Sequence, residues 1–323
     1  MKKFLCVFIC LVTVVTLFAG CRHSENTVNR LLFDTAVTLT AECERSVLLE
    51  AVSLCEGYEN LLSRTKKTSD VYKINNSDGF VSVSEETALI IKTALKYCEQ
   101  SDGLYDITIT PVSSLWNFNE EILPEADKIS EAVKKVDYKK IQLEGNRVNA
   151  NGAQIDLGSV AKGYIADKLR EFFENKGVKN AIINLGGNVY VLGDKYTKVG
   201  IQKPFSGGTV GRVEMKNLSA VTSGTYQRCF TKDGTFYHHI LDPKTGYPAE
   251  TGIAQVTIVG KNSALCDAYS TGVFVMGREK AEKLYGKSGE FEYIIVENNN
   301  IFVSKNLESK IKNVREEFNL IIS

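Results

Sequence analysis

The sequence predicts an α+β fold, a single domain with largely antiparallel sheets and flanking helices. Three observations carry that expectation. Segments of strand character outnumber helical ones in the second half of the chain and come in runs, which favours strands joined by turns over alternating βαβ units. Neither GxGxxG nor GxxxxGK[ST] occurs, so any bound nucleotide is held outside the two commonest phosphate loops. Only five prolines are spread over 323 residues, with no repeat, low-complexity tract or internal linker.

Residues 32–42 (LFDTAVTLTAE) are rich in β-branched side chains with partial alternation, the pattern of a strand. Residues 46–62 place Val47, Ala51, Leu54, Cys55, Tyr58, Leu61 and Leu62 at helical spacing. Residues 84–101 open on Ser84, Glu85, Glu86 and Thr87 and continue as a helix, whereas 107–116 fit no single pattern. Residues 154–157 read as a short strand broken by Gly158. A helix over 160–175 follows, with Val160, Ile165, Leu169, Phe172 and Phe173 apolar and Gly177 closing it. Residues 180–192 form a strand interrupted at Gly186-Gly187. Further strands are expected at 198–202, 210–215, 235–241 and 254–259, a helix at 263–276, and a hairpin of 293–296 with 301–303.

The chain is long enough to bury a sizeable core. Its 43% hydrophobic and 24% charged residues are ordinary for a globular protein and argue against disorder. A formal net charge of zero lacks the basic surface that nucleic acid requires, so no nucleic-acid partner is expected. The N-terminus departs from this pattern. Lys2 and Lys3 precede an apolar run over 4–18, and Ala19-Gly20-Cys21 follows, the layout of a secretory signal peptide. The run falls short of the ~20 residues a spanning helix needs, and a membrane anchor helix is the alternative. Ala-Gly-Cys resembles a bacterial lipobox with Cys21 as the lipidated residue. The expected organisation is therefore residues 1–20 as signal peptide, 21–30 as lipidated cysteine and tether, and 31–323 as the domain, held by a lipid on the outer side of a cell membrane, periplasmic or extracellular. Beyond the leader, Cys43, Cys55, Cys98, Cys229 and Cys266 are odd in number, widely spaced and without CxxC. They are expected to be mostly small buried apolar residues rather than a disulfide framework or metal knuckle.

Five segments hold the candidate chemistry. In 155–163 (IDLGSVAKG) a strand ends, a glycine turns the chain and a helix begins, so free N–H groups and the helix dipole suit a phosphate. Lys162 in the first helical turn opposes the dipole unless an anion sits there; a solvated surface lysine is the other reading. Asp156 suits either a ligand's hydrogen-bonding edge or the capping of the helix. Asp267 and Thr271, at i and i+4 of one helix, are hard oxygen donors of the kind Mg²⁺ takes, or serve the helix alone. In 237–248 (YHHILDPKTGYP) two adjacent histidines on a strand face opposite sides, so they are not joint metal ligands, but one could act as a base. DPKTG is a β-turn signature. The hydroxyl-rich 218–228 raises a Ser-His-Asp hydrolase, which the absence of GxSxG disfavours. Residues 101–108 (SDGLYDIT) read locally as a loop after a helix.

In their order, SDGLYDITITPVSSLW, IDLGSVAKGYIADKL, AIINLGGNVYVLG, AVTSGTYQR, YHHILDPKTGYP and CDAYSTGVFVMG resemble the FAD:protein FMN transferase family, the ApbE-type lipoproteins, over roughly residues 32–276. DLGSVAKGY and HILDPKTGYP are the most specific pieces. The resemblance implies an ApbE-type, T-fold-like domain. It implies a transferase that takes FMN from FAD as substrate and joins it, with Mg²⁺, to a Thr or Ser hydroxyl of an exported acceptor protein through a phosphoester, releasing AMP. By the same resemblance, Mg²⁺ is held by the carbonyl of Ser159 and the side chains of Asp267 and Thr271. FAD meets Phe33, Thr65, Leu104, Tyr105, Asp106, Asp156, Lys162 and Ile240. His239, directly before Ile-Leu-Asp-Pro, inherits the role of base, and His238 does not. Phe33-Asp34-Thr35 replaces the family's frequent Met-Gly-Thr. An FAD pyrophosphatase using the same site and a flavin-binding lipoprotein without chemistry are the rival readings.

Overall fold

The computed structural model describes residues 24–284 and 289–323; the expected leader and Cys21 lie outside them. A nine-stranded sheet forms the frame, made of β1 (Glu25–Leu32), β2 (Thr35–Glu42), β3 (Ala181–Leu185), β4 (Asn188–Leu192), β5 (Leu218–Gly224), β6 (Ile253–Gly260), β7 (Phe291–Glu297), β8 (Asn300–Val303) and β9 (Asn319–Ile322). Sheet order follows chain order. Every neighbouring pair is antiparallel except the last, in which Asn300 pairs with Asn319 in parallel.

The central strands are apolar on both faces because both faces are covered. On one side Tyr190, Val221, Ile258, Tyr293 and Ile295 meet the long helices α1 (Arg45–Leu62), α2 (Glu85–Gln100), α3 (Ala161–Asn175) and α4 (Ser263–Met276). Their sequence neighbours Val191, Ala220, Val259, Ile294 and Val296 point the other way and pack with Ile201, Val210, Val213 and Met215, which belong to a smaller sheet of Thr197–Gln202, Thr209–Met215 and Ile311–Lys312. Period-two alternation therefore sorts one run of apolar residues into two cores. A third cluster, with Val112, Trp116, Ile129 and Phe230, seats the hairpin Cys229–Lys232/Thr235–His238. None of the described helices is long and apolar enough to cross a membrane.

The long helices match their expected spans to within two residues, and Ser84 caps α2 by accepting from Thr87 N (3.0 Å). Four expectations need correction. The segment read as tether is strand β1, paired along its whole length with β2. As an edge strand it needs little apolar surface, and Val28 is its one buried side chain. The strand expected over 32–42 starts later, because Phe33 and Asp34 both adopt φ +56° and form the two-residue hairpin turn. Residues 154–157 are extended but in no ladder. Ile155 instead exchanges both backbone bonds with the Asn75 amide (2.7 and 2.8 Å). Residues 218–224, weighed only as a hydroxyl cluster, are the central strand β5. Cys43, Cys55, Cys98 and Cys266 are buried free thiols, as expected; Cys229 is half-buried.

Candidate functional site

The candidate site is built where α3 meets α4. Gly163 brings the two helices into backbone contact. A Cβ there would lie 2.2 Å from Ser263 O and 2.7 Å from Ala264 Cα. At that crossing Asp267 reaches out of its own helix, and its Oδ2 accepts Gly163 N–H at 2.8 Å. This removes the reading in which Asp267 serves only α4, whose N-cap is Asn262, accepting from Leu265 N (2.8 Å). Asp267 is 4% exposed, and burial raises its carboxyl above the ordinary range, with the Lys162 charge and the Gly163 N–H pulling it back. One turn further on, Thr271 Oγ1 lies 3.4 Å from Ser223 Oγ on β5.

The loop before α3 supplies the facing wall. Asp156 N–H donates to Ile107 O (2.7 Å), tying this loop to the 104–108 loop. The Asp156 carboxylate accepts Gly158 N–H (2.8 Å) and pairs with Arg64 (3.2 Å), so it shapes the Gly158 turn instead of capping α3. Ser159 Oγ and Tyr105 Oη are 3.2 Å apart, and burial pushes the Tyr105 phenol well up. Tyr105 also packs on α4, its Cβ 3.5 Å from where a Gly272 Cβ would stand. Lys162 Nζ donates to Gly158 O (2.9 Å), which folds its charge back over the turn and within electrostatic reach of Asp267.

The Asp106 side chain is bound within its own loop and to the next one. Its Oδ1 accepts Thr108 N (2.8 Å) and Thr108 Oγ1 (2.7 Å), and its Oδ2 accepts Tyr138 N (3.1 Å). The carboxylate is turned inward and braces the loop. On the N-terminal side, Glu59 links the expected Phe33 to Lys66, the neighbour of Thr65: its carboxylate accepts Phe33 N (2.7 Å) and Lys66 Nζ (2.6 Å). Thr65 is exposed beside Ser63, its Oγ1 3.1 Å from Ser63 Oγ, and next to Arg64, which binds Asp156.

The strand ends at His238, three residues short of expectation, and the two histidines diverge. His238 packs on Phe274 (5.5 Å between ring centres) and lines a groove of about 910 Å³ with Phe205, Phe236 and Tyr247. None of Asp156, Lys162, His239 or Asp267 lines that groove. His239 faces the other way. Its backbone N (3.1 Å) and ring Nδ1 (3.3 Å) both approach Arg228 O. A carbonyl only accepts, so Nδ1 carries the proton and Nε2 is left as the free base. Burial first, then the Arg228 charge with Lys162 adding to it, push the imidazole down to about 3. Part of the residue still meets solvent, and the ring is neutral at pH 7. Ile240 is buried behind it, its carbonyl accepting Ala249 N–H (3.0 Å). Gly246, at φ +76°, lets the DPKTG turn close on Ile129, 2.5 Å from where a Cβ would be.

The structure thus brings Tyr105, Asp156, Ser159, Lys162 and Asp267 together at the helix crossing, with Thr271 one turn along α4 and His239 within electrostatic reach of Lys162. Sequence reasoning missed the Gly163 amide, the Arg228 carbonyl and Ser223, whose roles are set by contacts 104, 11 and 48 residues away. A Mg²⁺ ion fits the donors present. They are oxygens, and the buried Asp267 carboxylate accepts one N–H among the described residues, which leaves it short of positive partners. Among those residues no group of three His, Cys, Asp or Glu could hold a metal, so such an ion relies on hydroxyl, carbonyl and phosphate oxygens as well.

Fold and cleft together define an α+β protein with a candidate anion- and cation-binding site at a helix crossing. The chain belongs to the ApbE family, whose family model matches residues 33–295. It is similar to the FAD:protein FMN transferase of Treponema pallidum, 33% identical over 73% of either chain. The FAD:protein FMN transferase of Klebsiella pneumoniae is also 33% identical, over 76% of this chain and 80% of its own. Among solved structures, the ApbE protein of Thermotoga maritima superposes with a TM-score of 0.82 at 30% identity, over 91% of this chain and all of that one. The flavin transferase ApbE of Vibrio cholerae, at 21% identity and a TM-score of 0.80, shares the fold.

Proposed function

We propose that this chain is an FAD:protein FMN transferase: it moves FMN from FAD to a Ser or Thr hydroxyl of an acceptor protein and releases AMP. The observation that carries the reading is the meeting of Asp267, Lys162 and the Gly158 turn at the α3–α4 crossing, with a neutral histidine in range. The FAD pyrophosphate is anionic and a poor electrophile until its charge is offset. Asp267, Thr271 and the Ser159 carbonyl would hold Mg²⁺, which supplies that neutralisation when bound. Lys162 adds a fixed cation on the same side, and the N-terminus of α3 adds its dipole. Leu104, Tyr105, Asp156, Phe33, Thr65 and Ile240 would line the flavin nucleotide. His239 Nε2 accepts the proton of the incoming hydroxyl. The hydroxyl oxygen bonds to the FMN phosphorus as the bond to the bridging oxygen breaks, and AMP carries that oxygen away.

The leader supports export and lipidation at Cys21, which would place the site outside the membrane beside an exported acceptor. Loss of palmitate labelling in Cys21→Ala tests that part. The reaction is tested by mixing the protein with FAD, Mg²⁺ and a candidate acceptor and looking for covalent flavin fluorescence on a denaturing gel. Transfer gives a fluorescent acceptor band matched by AMP. Free FMN equal to AMP would make the protein a pyrophosphatase, and FAD binding without AMP would make it a binder.

A further inference from the structure

Asp267 can serve a cation only if α4 is held at the right height against α3, and a residue outside the expected site does this. Asp167 lies one turn beyond Gly163 on α3. Its two carboxylate oxygens accept the first two amides of α4, Ser263 N and Ala264 N, each at 3.0 Å. These amides have no partner within their own helix, and the Asn262 side chain takes the next one, Leu265 N. In return Asp267, four residues into α4, takes Gly163 N–H near the start of α3 (2.8 Å). Each helix therefore lends a carboxylate to the other's N-terminal turn. With Gly163 leaving no space between the backbones, neither helix can slide without breaking a carboxylate–amide bond.

We propose that Asp167 is a positioning residue for the metal: by fixing the N-terminus of α4 it sets the distance of Asp267 and Thr271 from the Gly158–Gly163 turn. The inference rests on the Mg²⁺ reading above. Mg²⁺ demands near-octahedral oxygen geometry, and a displacement of about 1 Å in a site of this kind can cost about 10²-fold. Burial holds the Asp167 carboxyl up at about 6 in spite of its two N–H donors, a cost consistent with a placement kept for something other than helix stability.

The test is Asp167→Asn, which keeps the shape but sets a donor against one of the α4 amides. The readout is the rise in thermal midpoint on titrating Mg²⁺ with FAD present and acceptor absent, which needs no turnover. The Mg²⁺ concentration giving half the rise is expected to increase at least tenfold, while the KM for FAD at saturating Mg²⁺ moves less than twofold. Asn262→Ala, which removes the other cap of the same helix, is the control for stability alone. It should lower the midpoint yet leave the Mg²⁺ requirement within twofold. If Asp167→Asn leaves the requirement within twofold, or Asn262→Ala raises it equally, the proposal is overturned. Should Asp167→Asn not fold, Asp167→Glu carries the test: its longer arm displaces α4, the requirement should rise at least threefold, and an unchanged value overturns the proposal. If the unaltered protein shows no Mg²⁺-dependent rise, the metal reading fails and the proposal falls with it.

Discussion

Two buried carboxylates among the candidate residues do opposite things. Asp106, in the 104–108 loop, accepts three protein donors and is complete within the fold. Asp267, at the helix crossing, is at least as deeply buried and accepts one among the described residues. Both are held above the ordinary carboxyl range by burial. A buried carboxylate with all its bonds made is a brace, whereas one left short of positive partners is a place for a cation. The two differ less in residue type than in how many bonds the protein has already provided.

The comparison can be broken at its strong end. Asp267→Ala is expected to lower AMP release about 10³-fold, the scale of losing a charge-stabilising group; AMP release that persists unchanged would sink the metal assignment. Gly163→Ala is next. Its methyl group must push Ser263 and Asp267 away, so the rate should fall about 10²-fold and stability by about 1–3 kcal/mol, measured as turnover and denaturant midpoint on the same sample. Asp106→Asn inverts the pattern. It should cost about 1–3 kcal/mol of stability by leaving buried donors poorly matched, while the Mg²⁺ requirement stays within twofold. A shift in that requirement would erase the distinction between brace and cation site.

The smallest effect comes from pH. Burial lowers His238 to about 4 in the fold from 6.5, so on acidification the unfolded chain takes the proton first. Its stabilising contribution is full above pH 6.5 and is lost as the pH falls toward 4, the loss reaching about 1–2 kcal/mol at pH 5.5. His239 acts in the same sense. Asp167, raised to about 6, acts in the opposite one. The difference in unfolding free energy between the unaltered protein and His238→Gln should therefore shrink from pH 7 to 5.5, and a constant difference would refute the assignment.

Much of this was legible in the sequence. The long helices follow from apolar spacing, and the site residues from six short segments in one order. What stayed hidden was set by distant partners. β1 reads as a tether because an edge strand buries little beyond Val28. Residues 218–224 mix hydroxyls with small residues, and their burial between two layers is decided by elements on both sides. Asp167 resembles any charged residue of an amphipathic helix until Ser263 is placed 96 residues away. Asp106 was matched to a flavin contact by its place in a motif, and only the bonds to Thr108 and Tyr138 turn it inward.

The agreement between sheet order and chain order bears on how the molecule comes to exist. Each strand pairs with the one before it in the frame, but not always across a short connection: β2 waits for β3, whose Ala181 pairs with Ala41, 140 positions earlier. The crossing of Gly163 with Asp267 is non-local in the same way, since it waits for residues 104 positions apart. The crossing therefore cannot form before α4 is made, while β7, β8 and β9 are still to come, and a nascent polypeptide stalled before residue 263 would carry six of the nine frame strands but no helix crossing.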